Sequence, residues 1–99
     1  MKSHYKLYVI TMEIENTIQT QDNIIVHLKN WIQSKYNIKI DNKDKYIERA
    51  NINSFDIINF VIYIESTYNI SFSTNDFQDN RFFTLQGLSK IIIQKIRDK

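Results

Sequence analysis

Residues 50–72 read ANINSFDIINFVIYIESTYNISF, and the rest of the chain is organised around them. Asn53 is a good helix N-cap, because its side-chain carbonyl can accept from the free backbone N–H groups of the first turn. Asp56, three residues on, can answer the cap with its carboxylate and suits the positive end of the helix dipole. The pattern predicts a helix beginning at Ser54 and closing in a polar turn over Ser66, Thr67, Tyr68 and Asn69. Ser54 lies at the helix entrance, in the first turn, where a side chain points outward.

The composition of this helix sets it apart. A surface helix normally carries one apolar stripe with polar residues opposite. Here Phe55, Ile57, Ile58, Phe60, Val61, Ile62, Tyr63 and Ile64 are broken only by Asp56 and Asn59, with Glu65 following. Phe60, Ile64 and Tyr68 form one stripe at helical spacing. Phe55, Ile58 and Ile62 form a second on another face. A small domain buries one stripe in its own core, so the second is a contact patch for something else.

On the N-terminal side, Glu15 to Tyr36 reads as a helix. Ile18, Ile25, Leu28, Ile32 and Tyr36 recur at three- and four-residue spacing, with Ile24 and Trp31 widening the stripe. Trp31 reads as a core residue rather than a ligand-stacking one, and His27, off the stripe, as a surface residue. Asn37 to Ile52 has no clear periodicity and reads as a long connection, with Ile38, Ile40, Tyr46, Ile47 and Ile52 as its anchors. Residues 1–14, MKSHYKLYVITMEI, read as an extension or tail; Leu7 to Ile10 is too short an apolar run for a signal peptide.

On the C-terminal side, Ser73 and Asp76 form a capping box for a short helix around Asp76 to Asp79. Phe77 and Phe82 are expected to plug the core. Thr84 then caps a last helix with Leu85, Leu88, Ile92 and Ile96 as its stripe, flanked by Ile91 and Ile93, and with Lys90, Lys95 and Arg97 favouring its negative end. Gly87, the only glycine, lies inside this helix at a cost of about 1 kcal/mol relative to alanine. Close approach of another backbone would explain it.

Composition excludes several classes. Ninety-nine residues make one domain with a single small core. There is no cysteine, which removes disulfides, thiolate chemistry and cysteine metal sites. His4 and His27 lack a partner at metal-ligand spacing. A net charge of +2, with signs alternating from Lys39 to Lys45, is too slight for nucleic acid. No apolar run approaches membrane-spanning length.

Ile52-Asn53-Ser54-Phe55-Asp56, the run to Ile64-Glu65, and Tyr68-Asn69-Ile70 resemble the acyl carrier protein family, whose motif is Asp-Ser-Leu or Asp-Ser-Phe at the start of its second helix. The likeness continues through Phe72 to Phe77 and Asn80 to Leu85, and covers roughly residues 15 to 97. The resemblance implies an all-α fold: a small four-helix bundle with three longer helices, a short third helix and a long loop between helices one and two. The domain would span 15–99, with 1–14 outside it. Asn53 stands where the family usually has Asp, and keeps the capping oxygen without the charge. Asn51 stands where it often has Gly, and asparagine tolerates the left-handed backbone next best.

The resemblance further implies that Ser54 receives 4′-phosphopantetheine from coenzyme A through a phosphopantetheinyl transferase, and that an acyl or aminoacyl group then travels as a thioester. An acyl- or aminoacyl-activating ligase and a downstream acyltransferase or synthase would be the other partners. Fatty-acid or natural-product biosynthesis in the cytoplasm would be the setting, and the carrier a monomer. Asn53, Phe55, Asp56, Ile58 and Ile62 are the expected partner-docking residues. The helix is poor in acids, which points to partners that read the apolar patch.

Taken alone, Ser54 has two readings: a residue that helps cap the helix, or one that another enzyme modifies. No histidine or lysine lies near it in sequence to make it a nucleophilic catalyst. The alternative to a carrier is a helical adaptor that is never modified and only binds proteins. A small enzyme is disfavoured by the lack of any acid–base constellation.

Overall fold

The computed structural model describes residues 20–99, in which five α-helices and a 3-10 turn follow one another without a strand. We label them α1 (Gln21–Tyr36), α2 (Tyr46–Arg49), α3 (Ser54–Tyr68), α4 (Thr74–Gln78) and α5 (Leu85–Arg97), with the 3-10 turn at Asn80–Phe83. Three longer helices form a small bundle, and the short pieces tie its ends. The tail at 1–14 and the expected helix start at Glu15 to Gln19, Ile18 included, lie outside the described residues.

Helix α1 begins at Gln21 because Thr20 caps it, its hydroxyl accepting from the Asn23 N–H at 3.2 Å. Ile24, Leu28 and Ile32 on its inner face are fully buried, and Ile25 nearly so. Helices α1 and α3 run antiparallel. Tyr36, at the end of α1, donates to Asp56 at the start of α3. His27, nearer the start of α1, shares a 3.2 Å hydrogen bond with the Tyr68 hydroxyl at the end of α3. Between these, the Trp31 ring lies 4.9 Å from that of Phe60 and 5.9 Å from that of Tyr63. Trp31 is thus a core-edge residue, half-buried, with Lys35 over its ring at 5.0 Å.

The connection from 37 to 52 is more structured than its pattern predicts. Ile40, Tyr46 and Ile52 are buried anchors, and Ile38 and Ile47 pack against the core. The segment also contains α2, a single turn too short to show periodicity. The Gln86 N–H donates to the Asn42 carbonyl at 3.0 Å, and Lys45 forms an isolated antiparallel bridge with Thr84. The loop is therefore fastened to the start of α5.

Three asparagines end helical segments in the left-handed conformation: Asn37 (φ 51°), Asn51 (φ 52°) and Asn69 (φ 54°). Each is followed by an isoleucine that turns inward, Ile38, Ile52 or Ile70. The Ile52 N–H reaches back to the Ile47 carbonyl and the Ile70 N–H to the Glu65 carbonyl. These are the long return bonds of a Schellman stop, usually built on glycine. The polar turn expected at Ser66 to Asn69 shrinks to Asn69, since that residue alone terminates α3 and the three before it are helical.

The segment after α3 departs from expectation in register. Helix α4 begins at Thr74, two residues before the expected Asp76, because the Ser73 cap starts it there. The Ser73 N–H and hydroxyl both donate to the Asp76 carboxylate, at 2.6 and 3.1 Å. Asp79, expected inside this helix, instead caps the 3-10 turn by accepting from the Arg81 N–H. Phe82 plugs the core at 3% exposure, whereas Phe77, at 39%, does not. Phe77 covers Phe82 from outside, ring to ring at 5.1 Å.

Helix α5 is capped by Thr84, whose hydroxyl accepts from the Gly87 N–H at 3.0 Å. Leu85, Leu88, Ile91 and Ile92 are buried, with Ile93 and Ile96 at the margin. Ser89, which no apolar pattern would select, is fully buried and satisfies its hydroxyl on the Gln86 carbonyl at 2.8 Å. Gly87 is explained: a Cβ there would stand 2.3 Å from the Arg81 carbonyl oxygen and 2.6 Å from its Cα. The 3-10 turn is seated directly on the glycine.

Candidate functional site

The site is the entrance of α3. Ser54 is its first residue and is exposed. The chain arrives through α2 and the left-handed Asn51, and buried Ile52 pins the approach. Asn53, also exposed, is extended (φ −79°, ψ 166°), and its Oδ1 accepts from the Asp56 N–H at 2.8 Å. This half of the capping box forms as the pattern predicts. The other half does not. The Asp56 carboxylate turns away from the cap, accepts the Tyr36 hydroxyl proton on one oxygen, and faces the Lys35 ammonium at 3.6 Å on the other.

Burial separates the two stripes of α3 as the spacing predicts. Phe60, Ile64 and Tyr68 are buried. Phe55, Ile58 and Ile62 are 71%, 57% and 53% exposed, and recur along one side of the helix from the turn that carries Ser54. Four of the five expected docking residues, Asn53, Phe55, Ile58 and Ile62, therefore face solvent, while Asp56 is half-buried and engaged. Glu65, the other acid of α3, is also engaged: its Oε2 accepts from the Phe72 N–H at 2.9 Å.

A cleft of about 560 Å³ opens at the base of α2, lined by Lys45, Ile47, Glu48, Asn80, Phe83 and Thr84. Backbone bonds from Asn51 to Glu48 and from Ile52 to Ile47 join this cleft to the turn leading into Ser54. Its wall on the far side is Phe83, which the sequence reading did not single out. Two consecutive phenylalanines before a helix cap are the signal that could have found it, since only one of them, Phe82, enters the core.

Among the described residues, no group of three or more histidine, aspartate or glutamate side chains could hold a metal ion. No described helix is long and apolar enough to cross a membrane. His27 is exposed and paired with Tyr68, at the opposite end of α3 from Ser54. The Tyr68 phenol is pushed up to about 12 by burial, with Tyr63 adding to the effect, so it serves His27 as a neutral hydroxyl.

Compared with protein-family models, with curated proteins and with solved structures, the chain matches none. The residues of the site carry the functional argument.

Proposed function

We propose that the protein is a carrier: Ser54 is the attachment point for 4′-phosphopantetheine, and partner enzymes act on the acyl or aminoacyl group it holds. The observation that carries this reading is the pairing, on one helix, of an exposed serine in the first turn with an exposed apolar strip beginning at the next residue. The opposite stripe of the same helix is core. A serine that merely helps cap would need no such strip beside it.

The group fits these residues. The Ser54 hydroxyl is open to solvent, and the free N–H groups and dipole of the first turn favour a phosphodiester on that oxygen. In the modification, Ser54 Oγ attacks a phosphorus of the coenzyme A pyrophosphate. A bond forms from that oxygen to phosphorus and the bridging P–O bond breaks. Adenosine 3′,5′-bisphosphate leaves, and the hydroxyl proton passes to the transferase. The attached arm supplies a thiol that carries acyl groups as thioesters.

Residues of this chain supply position and recognition. Asn53 and Asn51 fix the turn that presents Ser54, while Phe55, Ile58 and Ile62 offer partners an apolar landing strip. The cleft bounded by Ile47 and Phe83 gives a short apolar cargo a place to shelter beside that turn. The family type of bundle, a monomeric cytoplasmic carrier, its ligase and acyltransferase or synthase partners, and a role in fatty-acid or natural-product assembly belong to this proposal.

Intact mass decides it. Incubation with coenzyme A and a broad-specificity phosphopantetheinyl transferase is expected to add one phosphopantetheine, and Ser54→Ala to abolish the gain. No gain, or a gain that persists in the alanine variant, overturns the proposal. The second reading, an unmodified adaptor, is favoured by the uncharged Asn53 and by the engagement of both acids of α3; it predicts no gain with partner binding intact.

A further inference from the structure

We propose that Tyr36 and Lys35 set partner specificity by masking Asp56, so that the entrance of α3 offers partners an apolar surface with no available carboxylate in its first turn. This rests on the carrier reading and concerns which kind of enzyme can use the serine.

Asp56 is the one charged residue in the first turn of α3, two positions from Ser54. Asn53 is neutral, and Phe55 beside it is apolar. A free carboxylate there would steer any partner with a basic docking face, since such steering depends on unpaired surface charge. Here both carboxylate oxygens are occupied from the same side by the last turn of α1. The Tyr36 hydroxyl bonds Oδ2, and Lys35 Nζ lies 3.6 Å from Oδ1. Only 17% of the Asp56 side chain remains accessible. Tyr36 keeps its proton: burial, the hydrogen bond and the charge of Asp56 together push its phenol up to about 12.

The masking is therefore two-part. Tyr36 occupies the acceptor, and Lys35 offsets the charge as seen from outside. At the far end of the helix, one oxygen of Glu65 is engaged by the Phe72 N–H. What α3 presents to a partner is Phe55, Ile58 and Ile62, which are read by shape and burial rather than by salt-dependent attraction.

The test compares modification of unloaded proteins by a transferase with a cationic docking face. It follows mass gain over time across carrier concentration and ionic strength. The wild-type protein is expected to show weak salt dependence, and the charge-neutral Lys35→Ala/Asp56→Asn pair to stay within about twofold of its kcat/KM, as for two charges that already offset each other. The Lys35→Ala/Tyr36→Phe double variant is expected to gain several-fold in kcat/KM through a lower KM. That gain should be lost in high salt and lost again when Asp56→Asn is added. Thermal unfolding of each variant checks that the bundle persists, and Asp56→Asn in that pair keeps an acceptor for Tyr36. A loss of about tenfold in the Lys35→Ala/Asp56→Asn pair would show a carboxylate already in use and overturn the inference, leaving the carrier reading intact. An unchanged KM and salt response in the double variant would do the same. Absence of mass gain in every protein overturns both.

Discussion

The hydroxyl of Tyr46 donates to the backbone carbonyl of Phe82 at 2.6 Å, inside the core. This single bond joins the loop that precedes α3 to the 3-10 turn that precedes α5. Tyr46 is fully buried, and burial holds its phenol far above its usual value, so it remains a donor at any working pH. Its ring also meets Phe60 edge-on at 5.7 Å. Tyr46→Phe keeps the ring and strands the carbonyl, and we expect a loss of about 1–3 kcal/mol, measured by urea denaturation. A loss near zero would show that water satisfies the carbonyl.

Gly87→Ala separates local propensity from packing. In an isolated helix the change would be favourable by about 1 kcal/mol. Here the added Cβ meets the Arg81 backbone at 2.3–2.8 Å, and backbone cannot step aside as a side-chain tip can. Packing wins, and we expect net destabilisation of about 1–3 kcal/mol, with Phe82 displaced. A rise in Tm would mean that the turn is not seated on α5 in solution.

The two faces of α3 should respond oppositely. Ile64 is fully buried, so Ile64→Ala is expected to cost about 2–5 kcal/mol. Ile58 is exposed, so Ile58→Asp is expected to leave Tm within a few degrees while weakening partner turnover. Thermal unfolding of both variants checks the pair. Collapse of the Ile58 variant would reverse the assignment of faces.

Asp76 links stability to acid. Burial acts to raise its carboxyl, but hydrogen bonds from Lys95 and from Ser73 outweigh it and lower the group below the ordinary carboxylate value. A folded-state value below the unfolded one means stability that is present at neutral pH and lost as pH falls through the folded value. Asp76→Ala should therefore cost about 0.5–2 kcal/mol at pH 7, for the lost cap. The gap from wild type should narrow in the acid range, below about pH 4. Unfolding curves recorded from pH 7 down to pH 3 test the direction; a gap that widens in acid contradicts it.

The long helices, their caps and the two stripes of α3 were legible because each is a local signal: Asn53 and Thr84 are good capping residues, and Phe60, Ile64 and Tyr68 keep helical spacing. What was not legible depends on residues distant in sequence. The Asp56 side chain has an equally good local partner in its own cap, and only the arrival of Tyr36 decides otherwise. Gly87 pointed to a close backbone, and the fold identifies that backbone as Arg81. Phe77 and Phe82 look alike in sequence, and only the seating of the 3-10 turn on α5 puts Phe82 in the core, with Phe77 over it. Ser54 itself was legible as an exposed helix-entrance hydroxyl; the cleft at Phe83 was not, because α2 and the 3-10 turn meet only in three dimensions.

The asparagine–isoleucine pairs at 37–38, 51–52 and 69–70 have a consequence for redesign. In a chain with a single glycine, these pairs are its punctuation, and the isoleucine is the half that reports whether the stop has been read. Exchanging Asn69 for glycine would keep the full stop and loosen the unfolded chain. Exchanging it for leucine would invite α3 to run on and pull Ile70 off the core. A pattern search that expects glycine at helix ends would miss all three of these stops.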